Sequence, residues 1–282
     1  MISRALKTRG GQFFRRTLGL AFDLPVGDIP TLTPQQQHTK QLIPQHLVQT
    51  WEVNEFGRRH RQSLLDLRKR NPDLEFELLD QASRDEFMKE FIDPEITELY
   101  FDSAYKPMRV DLFRYAYLLK NGGYYCDISM NHLGQITSQH SRDASAVIAF
   151  ENNSALRMAP KAVLDRLPYP SNLMAIWLLG FTPNHPILRT LLAQIKVESQ
   201  DFKGKIFPMP KFAIIALTGP AAFTRAVWAY LESEEDDSVE FAGVDFNQLG
   251  RPHPGAGFRH IRYPSYARAH DDGLFLSDGR AG

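Results

Sequence analysis

Apolar residues recur at helical spacing through residues 104–120, where Val110, Phe113, Tyr117 and Leu118 mark one side and Asp111 and Arg114, three apart, share another. Asn121-Gly122-Gly123 stops this helix, because glycine accepts the left-handed conformation that a tight C-terminal cap needs. The β-favouring run Tyr124, Tyr125, Cys126, Asp127 and Ile128 follows as a strand, and its alternation puts Tyr125, Asp127 and Ser129 on one side. Upstream, residues 23–41 read as a linker leading into a first strand, followed by a basic helix over 56–70 ended by Asn71-Pro72, and a strand over 74–79. Helices are expected over 82–91 and 94–101, a buried strand over 146–151, and an apolar strand or strand pair over 173–181. Further helices are expected over 186–198 and 221–232, the second with Pro220 near its first turn, and 232–237 is expected to be a solvated loop. Strand, helix, strand is the opening of a nucleotide-binding α/β unit, so the fold class is α/β.

The chemistry collects at one point in this pattern. A carboxylate at the carboxyl end of a strand, as Asp127 is here, lies where α/β sheets bind ligands. Taken alone, Asp111 and Arg114 equally describe a surface ion pair worth ~0.3–0.5 kcal/mol, and Asp127 equally describes a turn cap. The occurrence of all these parts in order favours a ligand site.

The segment resembles glycosyltransferase family 32 and the sugar-binding region containing the DXD motif, a group that includes the large clostridial glucosylating toxins. The resemblance is carried by Asp111-Leu-Phe-Arg114-Tyr115 and by Gly122-Gly123-Tyr124-Tyr125-Cys126-Asp127-Ile128-Ser129. The run Ile43-Pro44 through Trp51 is similar to that family's opening strand; Asn172 to Ile176, Pro183-Asn184-His185-Pro186 and Thr218-Gly219-Pro220 match its later landmarks in order. The resemblance spans roughly residues 41–225. It implies a GT-A-like nucleotide-sugar-binding fold with a mixed central sheet flanked by helices, over 41–282, preceded by a basic N-terminal segment and linker over 1–40.

It also implies a retaining hexosyltransferase that uses a UDP- or GDP-sugar. The acceptor would be a hydroxyl of a saccharide or lipid-linked saccharide, as in surface polysaccharide synthesis. Trp51 would lie against the nucleotide base, Asp111 and Arg114 would hold donor sugar and ribose, and Tyr125 and Asp127 would belong to the donor and diphosphate site. These roles suit the side chains: an aromatic face stacks on a base, a carboxylate accepts sugar hydroxyls, and a guanidinium forks onto oxygens. Asp111, Arg114 and Asp127 are the catalytic candidates, and Glu151 is a further site residue. Two other classes share this donor site: an effector-type enzyme that glycosylates a protein, and a noncatalytic nucleotide-sugar binder.

The family's second motif aspartate is Ser129 here. A hard cation such as Mn²⁺ or Mg²⁺ prefers charged oxygen ligands, so a metal site of Asp127, Ser129 and His270 would be weakened. Three outcomes stay open: metal held by Asp127, Ser129 and the donor's own phosphates, which Mg²⁺ sites tolerate because few protein ligands are needed; metal-independent neutralisation of the leaving diphosphate by basic side chains; or a binding site without turnover. His270-Asp271-Asp272 stands where the family places a His and a Gly-Ser-Trp-like segment, and Arg259, His260 and Arg262 are further candidates for diphosphate neutralisation or solvated strand charges.

Composition narrows the partners. The 33 basic and 33 acidic residues cancel, which offers nucleic acid no general attraction. The single cysteine, Cys126, excludes an internal disulfide, suits a reducing compartment, and by its strand position suggests packing rather than nucleophilic chemistry. No run reaches the ~18–20 apolar residues that span a bilayer, so the expected location is cytoplasmic. Residues 1–22 carry Arg4, Lys7, Arg9, Arg15 and Arg16 without an acid, interleaved with apolar residues. Such a segment suits peripheral contact with the inner face of an anionic membrane, and equally a transit peptide or a plain basic helix. No internal repeat, Walker-type loop or dinucleotide fingerprint is present.

Overall fold

A computed structural model describes residues 29, 40–54, 56, 58–154, 158–252 and 274–277. Strand β1 (His46–Thr50) leads through helix α1 (Arg58–Arg70) to β2 (Glu75–Leu79). Helices α2 (Gln81–Lys89), α3 (Pro94–Asp102) and α4 (Lys106–Asn121) then return the chain to β3 (Gly123–Cys126). Strand β1 pairs in parallel with β2 on one side and with β3 on the other. The winding therefore switches sides at β1, and the crevice outside the carboxyl ends of β1 and β3 is where open α/β sheets take ligands.

The chain continues through β4 (Met130–His132), β5 (Ala146–Ser154), β6 (Asn172–Met174) and β7 (Leu178–Phe181). Helices α5 (Pro186–Ser199), α6 (Pro210–Leu217) and α7 (Pro220–Ser233) precede β8 (Val239–Val244) and β9 (Gly250–Pro252). The main sheet runs β2-β1-β3-β7-β5-β6, with β8 parallel to β5 and β7 antiparallel to both its neighbours. Strands β4 and β9 make a separate antiparallel pair. A mixed sheet flanked by helices is the architecture expected of a GT-A-like fold.

Alternation in β1 and β3 sorts side chains onto two cores. Val48 and Tyr125 face the large cluster beneath α4, α5 and α7, while Leu47, Tyr124 and Cys126 face a second cluster with Leu67 and Trp177. Buried Cys126 is a packing residue, its thiol pushed up by burial. Gly122 and Gly123 both have positive φ, 68° and 82°. A Cβ on Gly122 would lie 2.6 Å from Pro183, and one on Gly123 would lie 2.5 Å from His46, so the turn from α4 into β3 admits no side chain at either position.

Several expectations need correction. The strand expected to run to Ile128 ends at Cys126, because Asp127 turns the chain: its N–H donates to Trp177 O (2.6 Å) and its carbonyl accepts from Met130 N–H (2.9 Å). The opening strand contracts to His46–Thr50, and 173–181 resolves into two strands, β6 and β7. Helix α4 is not amphipathic with a wet charged side, since Asp111 and Arg114 are 5% and 4% exposed. The surface ion-pair alternative therefore fails. Pro210–Ser233 does satisfy the length and composition of a membrane span, contrary to expectation, yet it is two helices joined at Thr218-Gly219, and 56% of its apolar window is buried in the core.

His185 caps α5 from inside the protein. Its Nδ1 accepts from Ile187 N–H (3.2 Å) and its Nε2 lies 3.2 Å from Ser145 Oγ, while burial lowers its pKa from 6.5 to about 4. A depressed folded-state pKa gives stability that is present above the unfolded value and lost as pH falls through the folded one. Acid unfolding followed by circular dichroism should therefore show on the order of 3 kcal/mol lost between those two values, and His185→Asn, which keeps a cap acceptor, should remove most of that slope.

Candidate donor-binding site

The crevice at the switch point is a cavity of about 680 Å³. Thr50 and Trp51 line it from the end of β1, Asp127 and Ser129 from the end of β3, and Asp111 and Arg114 from α4. Gly219 and Pro220, the start of α7, close the far wall. The structure thus gathers Trp51, Asp111, Arg114, Tyr125, Asp127, Ser129 and Glu151 around one space.

Arg114 organises its floor. Its Nη2 lies 3.1 Å from Asp111 Oδ1 and donates to Asp127 Oδ1 at 3.2 Å, its Nη1 donates to Ile176 O, and its guanidinium sits 4.5 Å above the Tyr125 ring. Two nearby carboxylates hold the guanidinium charged despite its burial. The Nε atom is buried without a partner among the described residues. Tyr125 Oη donates to Asp127 Oδ1 (2.8 Å), so this carboxylate oxygen is held from two sides before any ligand arrives.

Asp111 is fixed from a different part of the chain. Thr218 Oγ1 donates to Asp111 Oδ2 (3.0 Å), and Tyr115 Oη donates to Thr218 O (2.8 Å), which ties α4 to the α6–α7 junction. Burial pushes the Asp111 carboxyl up to about 7, against the pull of Arg114 and Thr218. An ionised carboxylate accepts sugar hydroxyls better than a neutral one, so donor affinity should rise as pH passes upward through about 7. Calorimetric titration with the donor across this range would check it, and Asp111→Asn should bind weakly with no such rise.

Glu151 lines the same cavity, its carboxyl raised first by burial and then by the charges of Asp245 and Asp127. Asp245 opens a run of four residues, Asp245 to Gln248, with positive φ. This left-handed turn carries Phe246 under Trp177, which lines the cavity. Backbone strain of this kind persists where surrounding packing over-determines it.

Four cavity residues escaped the sequence reading: Arg84, Lys106, Trp177 and Lys211. Arg84 Nη1 donates to Thr50 Oγ1 (2.8 Å) and Nε to Tyr100 Oη (3.0 Å), which fixes the end of β1. Lys106 pairs with Glu52 at the rim. Lys211 makes no ion pair among the described residues, although its charge acts on Glu151. No periodicity or motif marks these lysines.

A divalent cation needs several converging oxygen or nitrogen donors. Among the described residues no group of three His, Cys, Asp or Glu side chains meets that need. Asp127 and Ser129 bring one carboxylate and one hydroxyl; Asp127 Oδ1 is engaged twice, which leaves Oδ2 to meet a cation that the donor's phosphates would also have to hold. His270, Asp272, Arg259, His260, Arg262 and the basic segment 1–22 lie outside the described residues.

Residues 57–148 match the profile of the family described as "Glycosyltransferase sugar-binding region containing DXD motif". The chain is 24% identical over 208 residues to an initiation-specific alpha-1,6-mannosyltransferase of Candida albicans, covering 68% of this chain and 54% of that protein, so it spans about half the length of that relative. Among solved structures, the PaToxG glycosyltransferase aligns with a TM-score of 0.47 and 13% identity, covering 78% of this chain and 79% of the other. The catalytic domain of alpha-toxin from Clostridium novyi aligns at 0.45 and 7%, covering 82% and 78%. Asp111, Arg114 and Asp127 all fall inside the segment that matches the glycosyltransferase sugar-binding region containing the DXD motif.

Proposed function

We propose that the protein is a retaining hexosyltransferase that moves a hexose from a UDP- or GDP-sugar to a hydroxyl of a saccharide or lipid-linked saccharide, as in surface polysaccharide synthesis at the inner face of a membrane. The observation that carries this reading is the buried Asp111–Arg114–Asp127 cluster, placed at the switch point of the sheet and open to one cavity. Trp51 offers its face to the base, Asp111 accepts sugar hydroxyls, and Arg114, held from both sides, presents a fixed charge toward the donor. The relative's mannosyl specificity makes mannose the first hexose to try.

In the reaction the bond from the anomeric carbon to the diphosphate oxygen breaks with its electron pair leaving on the diphosphate. The acceptor oxygen bonds to that carbon on the face the diphosphate leaves, and its proton passes to the departing diphosphate oxygen. The protein's work is to position the two partners and to stabilise the leaving charge. Lys211, which makes no ion pair among the described residues, supplies positive charge for that purpose at the cavity wall. Ser129 leaves the site short of a second carboxylate, so metal assistance is weak or dispensable.

The test is a panel of UDP- and GDP-sugars, assayed for binding and slow hydrolysis with Mn²⁺, with Mg²⁺ and with chelator. One donor bound and hydrolysed under at least one condition is the expected result. No binding of any donor would overturn the reading, and binding without hydrolysis or transfer would assign the chain to the noncatalytic class.

A further inference from the structure

The wall of the cavity formed by α6 continues onto the surface as an apolar and basic segment of which the transfer reaction uses Lys211 alone. Between Phe202 and Phe212 the chain carries three lysines, Lys203, Lys205 and Lys211, and no acidic residue. Ile206, Met209 and Phe212 are 51%, 50% and 60% exposed, and Leu274 beside them is 39% exposed. Single exposed apolar residues are ordinary, but several of this size close together in the chain mark a contact surface. None of the three lysines makes an ion pair among the described residues.

The segment is not a loose loop. Phe207 packs on Phe202 and Phe275 with ring centroids 5.4 and 5.1 Å away, and Phe275 N–H donates to Lys205 O (2.9 Å) while Gly204 N–H donates to Leu276 O (3.2 Å). Alternation about Phe207 turns one aromatic ring inward and leaves Ile206 pointing out. Pro210 starts α6, whose Lys211, Ile214 and Ile215 line the cavity while its neighbour Phe212 stays in solvent.

We propose that this surface, built on residues 203–212, docks the protein on an anionic phospholipid bilayer with the mouth of the cavity beside the membrane. An interface of this kind takes apolar tips into the acyl boundary while lysine ammonium groups reach the phosphates, and the alternation of cations with apolar side chains, free of acids, has that complementarity. The membrane contact stands apart from the donor reading. It rests on that reading only in its consequence, that a lipid-linked acceptor reaches the cavity from the bilayer.

The buried thiol of Cys126 makes a local test simple, because a cysteine introduced on the surface is labelled selectively. The full chain carrying Met209→Cys, labelled with the environment-sensitive dye NBD, is mixed with vesicles of phosphatidylcholine alone or with phosphatidylglycerol. The expected result is a blue-shifted, several-fold brighter emission on the anionic vesicles only, reversed by salt. Ile206→Ser/Met209→Ser/Phe212→Ser, in the unlabelled chain, should lower vesicle sedimentation by about tenfold or more while soluble donor binding stays at the parent level. Sedimentation with no change in emission would place the contact elsewhere, as in residues 1–22, and overturn the proposal. So would absence of sedimentation, slow labelling at position 209 from cover by the protein's own chain, or an emission change with a soluble protein fraction but not with vesicles. Donor binding lost in every variant and in the parent would instead count against the transferase reading alone.

Discussion

Arg114→Lys is expected to fold and to lose hydrolysis and transfer by about a hundredfold or more, whereas Arg114→Ala is expected to lose about 3–5 kcal/mol of stability as well. The guanidinium serves three oxygens at once, on Ile176, Asp111 and Asp127, and covers the Tyr125 ring. A lysine keeps the charge, but its single compact ammonium cannot fork between two carboxylates and a carbonyl. The carboxylates would then drift from the positions that face the donor, and misplacement by ~1 Å suffices for a loss of this size. In the alanine variant no cation remains. Asp111, already pushed up to about 7 by burial, would take a proton, and Asp127 would turn toward solvent. Urea denaturation and a donor hydrolysis assay on both variants separate the two effects. Arg114→Lys within tenfold of the parent in hydrolysis would show that fork geometry does not position the donor.

The centre of this site was legible because its chemistry is local. Helix, paired glycines, strand and carboxylate follow one another from Lys106 to Asp127, and each step obeys a rule of spacing or turn conformation. Only tertiary packing could convert Asp111 and Arg114 from a surface pair into a buried one, and the partners they meet there include Ile176 and Thr218, which lie far along the chain. Thr218 matched a landmark, yet nothing in the sequence says that its hydroxyl reaches Asp111, because that contact joins residues 107 positions apart. Lys211 was missed for the same reason: a lysine beside Pro210 on a short apolar helix reads as ordinary until tertiary packing turns it toward Glu151. The end of β3 was placed too late because Asp127 favours strand less than it favours the turn that its carbonyl closes with Met130 N–H. The residues that escaped the sequence reading are thus those whose roles depend on long-range packing.

Ser129→Asp is expected to turn a weakly metal-dependent enzyme into a strongly metal-dependent one. In the parent, hydrolysis in chelator should stay within about twofold of that with Mn²⁺, since Asp127 and Ser129 supply only one carboxylate and Lys211, without an ion pair among the described residues, lines the cavity as a cation for the leaving group. A second carboxylate beside Asp127 changes the balance in both directions. Without metal, two like charges ~4 Å apart repel by about 4 kcal/mol at an effective dielectric of 20, and both repel the donor's diphosphate. The variant in chelator should therefore fall at least about tenfold below the parent. With Mn²⁺ the same pair becomes a hard-oxygen site that also holds the phosphates, and hydrolysis should return to the parent level or above it. Titrating Mn²⁺ into both proteins reads this directly as a new saturable activation in the variant. A parent that already collapses in chelator would show that its shell is completed by residues beyond those described, with His270 the first to replace, and Lys211→Gln would then leave hydrolysis nearly unchanged. A parent indifferent to chelator that loses most of its hydrolysis in Lys211→Gln would assign the leaving-group charge to this lysine.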